Sequence, residues 1–194
     1  MKAHLNPFAP DRVQRLLPFD PSLVETNWEA IESRWEKMGQ RAAIVGHKGS
    51  GKSTFLKTFA KRLQKERNVV QLFFRAGDRK LGECHREKLA GMTNDQNVVV
   101  LVDGEGHLCW AQRNLLRNFC KHSAGYLVTR HHRSTLPTLL HLQSNLQLAE
   151  TLLSKIAPDK EESIHQQLPS LLRKKSGNLR EVWLSLYDEY ACKD

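Results

Sequence analysis

Gly46-His47-Lys48-Gly49-Ser50-Gly51-Lys52-Ser53, followed by Thr54, decides how this chain is read. The octapeptide fits G-x-x-x-x-G-K-[ST] at every fixed position. The apolar run Ala42-Ala43-Ile44-Val45 enters it as a short buried strand. Residues 51–66 leave it as a helix, with Phe55, Leu56, Phe59, Ala60 and Leu63 on one face. Strand, glycine loop and helix together make an anion cradle. Glycines let backbone N–H groups converge without a Cβ in the way. The unpaired N–H groups and dipole of the helix start face the same point. Gly46, His47, Lys48, Gly49, Ser50 and Gly51 are therefore the expected nucleotide-binding loop. Lys52 would reach the β- and γ-phosphates of ATP, and the Ser53 hydroxyl would ligate Mg²⁺. Thr54 either holds a phosphate oxygen or begins the helix.

Outward from the loop, strands and helices alternate. Residues 69–74 read as a second strand, Val98-Val99-Val100-Leu101-Val102 as a third, 126–129 as a fourth and 138–142 as a fifth. The unbroken third run implies burial on both faces, as in a parallel sheet. The expected fold is a three-layer α/β/α sandwich over residues 22–143. Residues 1–21 hold four prolines beyond position 5 and read as an extended linker. A helix is expected from a Ser22/Glu25 capping box to Gly39, with Val24, Trp28, Ile31, Trp35 and Met38 on one face. Residues 144–194 contain no strand pattern and read as a lid-like helical subdomain, broken at Pro158 and begun again near Ile164 and Asn178.

Asp103 ends the buried third run. An acid there is costly unless paired or near a cation, and beside a phosphate loop the cation is Mg²⁺. Asp103 and Ser53 are thus the candidate metal ligands. Glu105 lies two residues on. In an extended chain, residues i and i+2 share a side, so Glu105 is the candidate catalytic base, with His107 or no dedicated base as alternatives.

The 194 residues carry a net charge of +9. Residues 41–90 hold thirteen basic and four acidic side chains, which accounts for the whole excess. A polyphosphate, a nucleic acid or a solvated helix face would each explain it. Four cysteines without a CxxC pair argue against both a disulfide framework and structural zinc. No apolar run approaches the roughly 20 residues of a membrane span, and no secretory leader pattern is seen, so a cytoplasmic protein is expected.

The order of these motifs resembles the AAA+ ATPases and related P-loop switch ATPases over residues 40–190. Gly177-Asn178-Leu179-Arg180-Glu181 resembles the sensor 2 stretch of the AAA+ lid. The resemblance implies that Arg180 reaches back to the γ-phosphate, and that Thr129, at the end of the fourth strand, acts as sensor 1. It also implies an arginine finger, Arg130 or Arg133, supplied to a neighbouring subunit of a homo-oligomer. The connection 130–136 is shorter than the helix-bearing one of most AAA+ modules, which counts against finger and ring alike. In the resembling families the N-terminal linker lies beside the adenine, so Phe8 or Val13 would pack on the base. The Asn6-Pro7-Phe8 start and the Leu186-Tyr187-Asp188 stretch also resemble small bacterial stand-alone P-loop proteins. The function implied is an ATP-hydrolysing switch acting on a protein or nucleic-acid partner through the basic segment. Two alternatives stand beside it. One is a small-molecule kinase with Arg75, Arg79, Lys80 and Arg86 as its lid; the other is a nucleotide-dependent DNA-binding module.

Overall fold

A computed structural model of the chain describes residues 6–91, 97–132 and 135–192. Five strands form one parallel sheet: β1 (Arg41–Gly46), β2 (Asn68–Phe73), β3 (Val98–Asp103), β4 (Gly125–Arg130) and β5 (Thr138–Leu142), in the order β2-β3-β4-β1-β5. The three inner strands show why their sequences are apolar without alternation. Ala42, Ile44, Val99, Leu101 and Leu127 face one side of the sheet. Ala43, Val45, Val98, Val100, Val102, Tyr126 and Val128 face the other. Each residue is buried by its own layer of helices, as expected of a parallel sheet covered on both faces. The edge strand β2 keeps a mixed pattern, and Phe73 at its end is 54% exposed.

The first layer holds α2 (Trp28–Lys37) and α3 (Lys52–Leu63). Phe19, Trp28, Phe55 and Phe59 meet there ring against ring. The second layer holds α4 (Glu83–Ala90) and α5 (Trp110–Phe119). The remaining helices form a third cluster with its own core. These are α1 (Pro10–Leu16), α6 (Leu146–Ile156), α7 (Glu161–His165), α8 (Leu168–Lys174) and α9 (Leu179–Ala191).

Four expectations are corrected. Residues 10–16 are helical rather than extended, because Pro10 occupies the first helical turn, where its missing N–H removes no bond. Phe8 does not face a nucleotide base: it is 1% exposed, stacked on Trp183 and tilted against Tyr190 in the third cluster, and Val13 packs against the same cluster. Burying such a ring is worth about 1.5–3 kcal/mol. The Ser22/Glu25 capping box does not form. Glu25 turns left-handed at φ 55° and ends a 3₁₀ turn, and Asn27 caps α2 by accepting from Ala30 N at 2.8 Å. The helix expected near Ile164 is two short helices, α7 and α8.

Candidate functional site

The parallel sheet puts every strand's carboxyl end on one rim, and the phosphate loop lies there between β1 and α3. Lys52, 7% exposed, donates to the carbonyls of Gly46 at 2.8 Å and His47 at 2.6 Å. Burial pulls its ammonium below the ordinary lysine value, and Asp103 opposes that pull. The two side chains therefore sense each other across β1 and β3, with β4 between them. Ser53 and Thr54 open the helix, with Ser53 exposed and Thr54 half-buried. Lys48 is exposed. Ser50 is buried, and its Oγ has no hydrogen-bond partner among the described residues. An orphaned hydroxyl inside a glycine cradle fits an anionic ligand whose oxygens would accept from it. Gly51, at φ 91°, ends the loop in the left-handed region.

Asp103 is held by its neighbour strand. The Thr129 hydroxyl donates to Asp103 Oδ1 at 2.7 Å and accepts from Gly104 N at 2.9 Å. One side chain thereby fixes both the carboxylate and the turn that follows it. The donor set suits a hard cation: a carboxylate oxygen from Asp103 and a hydroxyl from Ser53.

Glu105 is placed otherwise than the i, i+2 argument expects. Gly104 adopts φ 82°, so β3 does not continue and Glu105 starts a 3₁₀ turn. A Cβ at Gly104 would fall onto the carbonyl of Phe74, which leaves glycine as the residue that fits. The turn carries the Glu105 carboxylate into the interior at 0% exposure. Its Oε1 accepts from Arg117 Nε and from the Tyr126 hydroxyl, each at 3.2 Å. Oε2 lies 3.0 Å from Arg130 Nη1, an ion pair without the alignment of a hydrogen bond. Burial, reinforced by Glu105, holds the Tyr126 phenol well above its usual range. Glu105 is thus a buried counter-ion in this structure, not a carboxylate open to a water. The same pairing engages Arg130, whose side chain is 13% exposed. Arg133 lies outside the described residues.

A different polar group stands at the loop. His131 follows Arg130, which pairs with Val45 in the sheet, so the register brings it beside Gly46 at the mouth of the loop. Desolvation, then Lys52, lowers its pKa below the usual 6.5, although the residue is exposed. The His107 ring lies 6.4 Å away. Sequence reading passed over His131, because only the adjacency of β4 and β1 brings the chain after Thr129 to the loop.

The helical tail meets the loop through Asn178. This residue is 8% exposed and caps α9, its Oδ1 accepting from Glu181 N at 3.3 Å. A Cβ on Gly49, itself at φ 78°, would fall onto the Asn178 side chain. Next to it, His47 Nε2 accepts from Ser144 N at 3.3 Å, and its Nδ1 donates to the Lys48 carbonyl at 3.0 Å. A Cβ on Gly177 would lie 3.5 Å from the His47 ring. Arg180 is exposed and makes no hydrogen bond or ion pair among the described residues. The structure therefore brings Asn178, not Arg180, against the loop.

The ABC transporter family model matches residues 36–178, which span the sheet, the loop and the start of the tail. The chain belongs to that family. The solved structure of Drosophila ORC bound to DNA is similar at a TM-score of 0.52 and 14% identity, covering 92% of this chain and 63% of that one. The chain thus spans less than two thirds of that relative. A likeness at this identity concerns the fold alone, which is that of a P-loop NTPase. Among curated proteins no match was found. Among the described residues, no helix of this ABC-family chain is long and apolar enough to cross a membrane.

Proposed function

We propose that this ABC-family P-loop chain is an ATP-binding and ATP-hydrolysing switch whose helical tail reports the state of the phosphate loop. The observation that carries the reading is the contact of Asn178 with Gly49. The residue that caps the last helix lies on the backbone that would grip a phosphate, so the loop cannot rearrange without disturbing the start of α9. His47 makes a second tie, to Ser144 just before α6.

In this reading the loop amides of residues 46–54 and Lys52 bind the triphosphate. The lysine gives up the carbonyls of Gly46 and His47 for phosphate oxygens. Ser53 and Asp103 would hold Mg²⁺, which when bound supplies charge neutralisation on the β- and γ-oxygens. Thr129 keeps Asp103 oriented. Arg180, exposed at the start of α9, is free to swing toward the γ-phosphate as the sensor 2 resemblance implies. The output is a change in tail position, a two-state element biased by ligand.

Hydrogen exchange read with and without a non-hydrolysable ATP analogue tests this. In the wild type, protection should change at residues 144–149 and 177–183 as well as in the loop. In Asn178→Ala, nucleotide should still bind while the tail response shrinks. In Lys52→Ala, binding and response should both be lost. A tail indifferent to bound nucleotide in the wild type would sink the switch.

A further inference from the structure

Six of the thirteen cations in residues 41–90 have partners within the molecule. Arg41 donates to the carbonyls of Cys120, Lys121 and Ser123. Lys52 is in the loop, Lys57 donates to Gln14, and Arg67 donates to Gln40. Arg62 pairs with Glu32 and lies over the Trp28 ring. Arg86 reaches the Leu81 carbonyl. The cations at 75–80 are spent differently. Arg75, Arg79 and Lys80 are all exposed, and none makes an ion pair among the described residues. The one acid among them, Asp78, turns its carboxylate back onto Arg75 N at 2.7 Å.

Aromatic surface flanks the same loop. Phe73 precedes it at 54% exposure, with the Arg75 guanidinium 5.8 Å from its ring centroid. Trp110 is 72% exposed. The loop is pinned against Trp110's helix start, since Cys109 N donates to the Arg79 carbonyl at 3.1 Å and Leu81 N donates to Gln112 Oε1 at 3.0 Å. An exposed indole beside unpaired cations is an unfavourable surface for a soluble protein to keep and a suitable one for stacking a base over a tracked phosphate backbone.

We infer that Phe73, Arg75, Arg79, Lys80 and Trp110 form a binding surface for single-stranded nucleic acid. Unpaired bases offer faces to Trp110 and Phe73, whereas a duplex hides them inside its stack; the cations follow the phosphates without regard to sequence. The surface is also wired to the site. Phe74, between Phe73 and the loop, donates from N to the Asp103 carbonyl at 2.9 Å, and its own carbonyl backs the Gly104 turn. Phe73 itself pairs in register with the candidate metal aspartate, Asp103.

The test is fluorescence anisotropy of a labelled 20-nucleotide single strand, its blunt duplex and a polyglutamate peptide, each titrated with the full chain without nucleotide across a salt series. The single strand should bind best, with a log–log salt slope of about −2 for three phosphate contacts. Trp110→Ala should weaken it roughly tenfold and leave that slope unchanged, because the indole supplies stacking and not charge. The double substitution Arg79→Glu, Lys80→Glu should abolish binding, and Lys52→Ala should leave it intact, which separates this surface from the ATP site. Circular dichroism melts of the Trp110 and Arg79/Lys80 variants should match the wild type. Equal binding of duplex and single strand, insensitivity to Trp110→Ala, tighter binding of polyglutamate, or no salt-dependent binding would each overturn the inference.

Discussion

Glu105 shows how one residue's chemistry depends on the dihedral angle of its neighbour. With Gly104 at φ 82°, the carboxylate enters the interior to meet Arg117, Arg130 and Tyr126. Removing one member of a buried ion pair strands the others. Glu105→Gln should therefore lower stability by about 3–5 kcal/mol, read from urea unfolding. A catalytic base would behave oppositely: the fold would be unharmed and ATP would stay bound but uncleaved. His131 supplies a pH signature at the same scale. Its folded pKa lies below 6.5, so the unfolded chain binds the proton more readily. Its contribution is complete above 6.5 and is lost as pH falls through the lower folded value. Wild-type melting temperature should drop on acidification below 6.5, and His131→Gln should flatten that limb of the curve. Neither residue's position was legible beforehand. The sequence names a glycine before Glu105 but not the sign of its φ, and names a histidine after Thr129 but not which strand lies beside it.

At the scale of elements, the ends of β3 and β4 are latched by a single hydroxyl. Thr129→Val keeps the shape and leaves Gly104 N without its acceptor and Asp103 Oδ1 without its donor. It should cost about 1–3 kcal/mol and slow ATP turnover, while Thr129→Ser restores both; melts and phosphate release measure the two effects. The strands themselves were readable, because a parallel sheet sandwiched by helices needs near-continuous apolar runs and those runs are short and bounded. The phosphate loop was readable because its glycines and lysine are tied to fixed positions. Two helices were not. α1 hides among prolines, since a proline at the first turn and one that breaks a helix look alike in sequence. α4 buries Leu89 alone and so lacks a periodic face. The α2 cap was misplaced by five residues, from Ser22 to Asn27, because both segments carry a polar residue ahead of an apolar face. In the tail, Arg180 drew attention as the charged residue, yet contact with Gly49 falls to Asn178, whose role depends on how α9 docks.

The whole molecule is a sheet packed on both faces and a helical cluster with its own smaller core, which is closed by the chain's early residues. Asn6 Nδ2 donates to the Tyr187 carbonyl at 2.9 Å, and Phe8 fills the space between Trp183 and Tyr190. Phe8→Ala should cost about 3–5 kcal/mol, and hydrogen exchange should place the loosening in α6 and α9 rather than in the sheet. If the sheet loosened equally, the tail would not be a separately stabilised unit. The Asn6–Tyr187 bond spans a sequence separation of 181. At a synthesis rate of about 5–20 residues per second, Phe8 emerges from the ribosome on the order of ten to thirty-five seconds before the ring that covers it. During that interval Phe8 has no partner ring to cover it, so the smaller core cannot close until the last helix has been made.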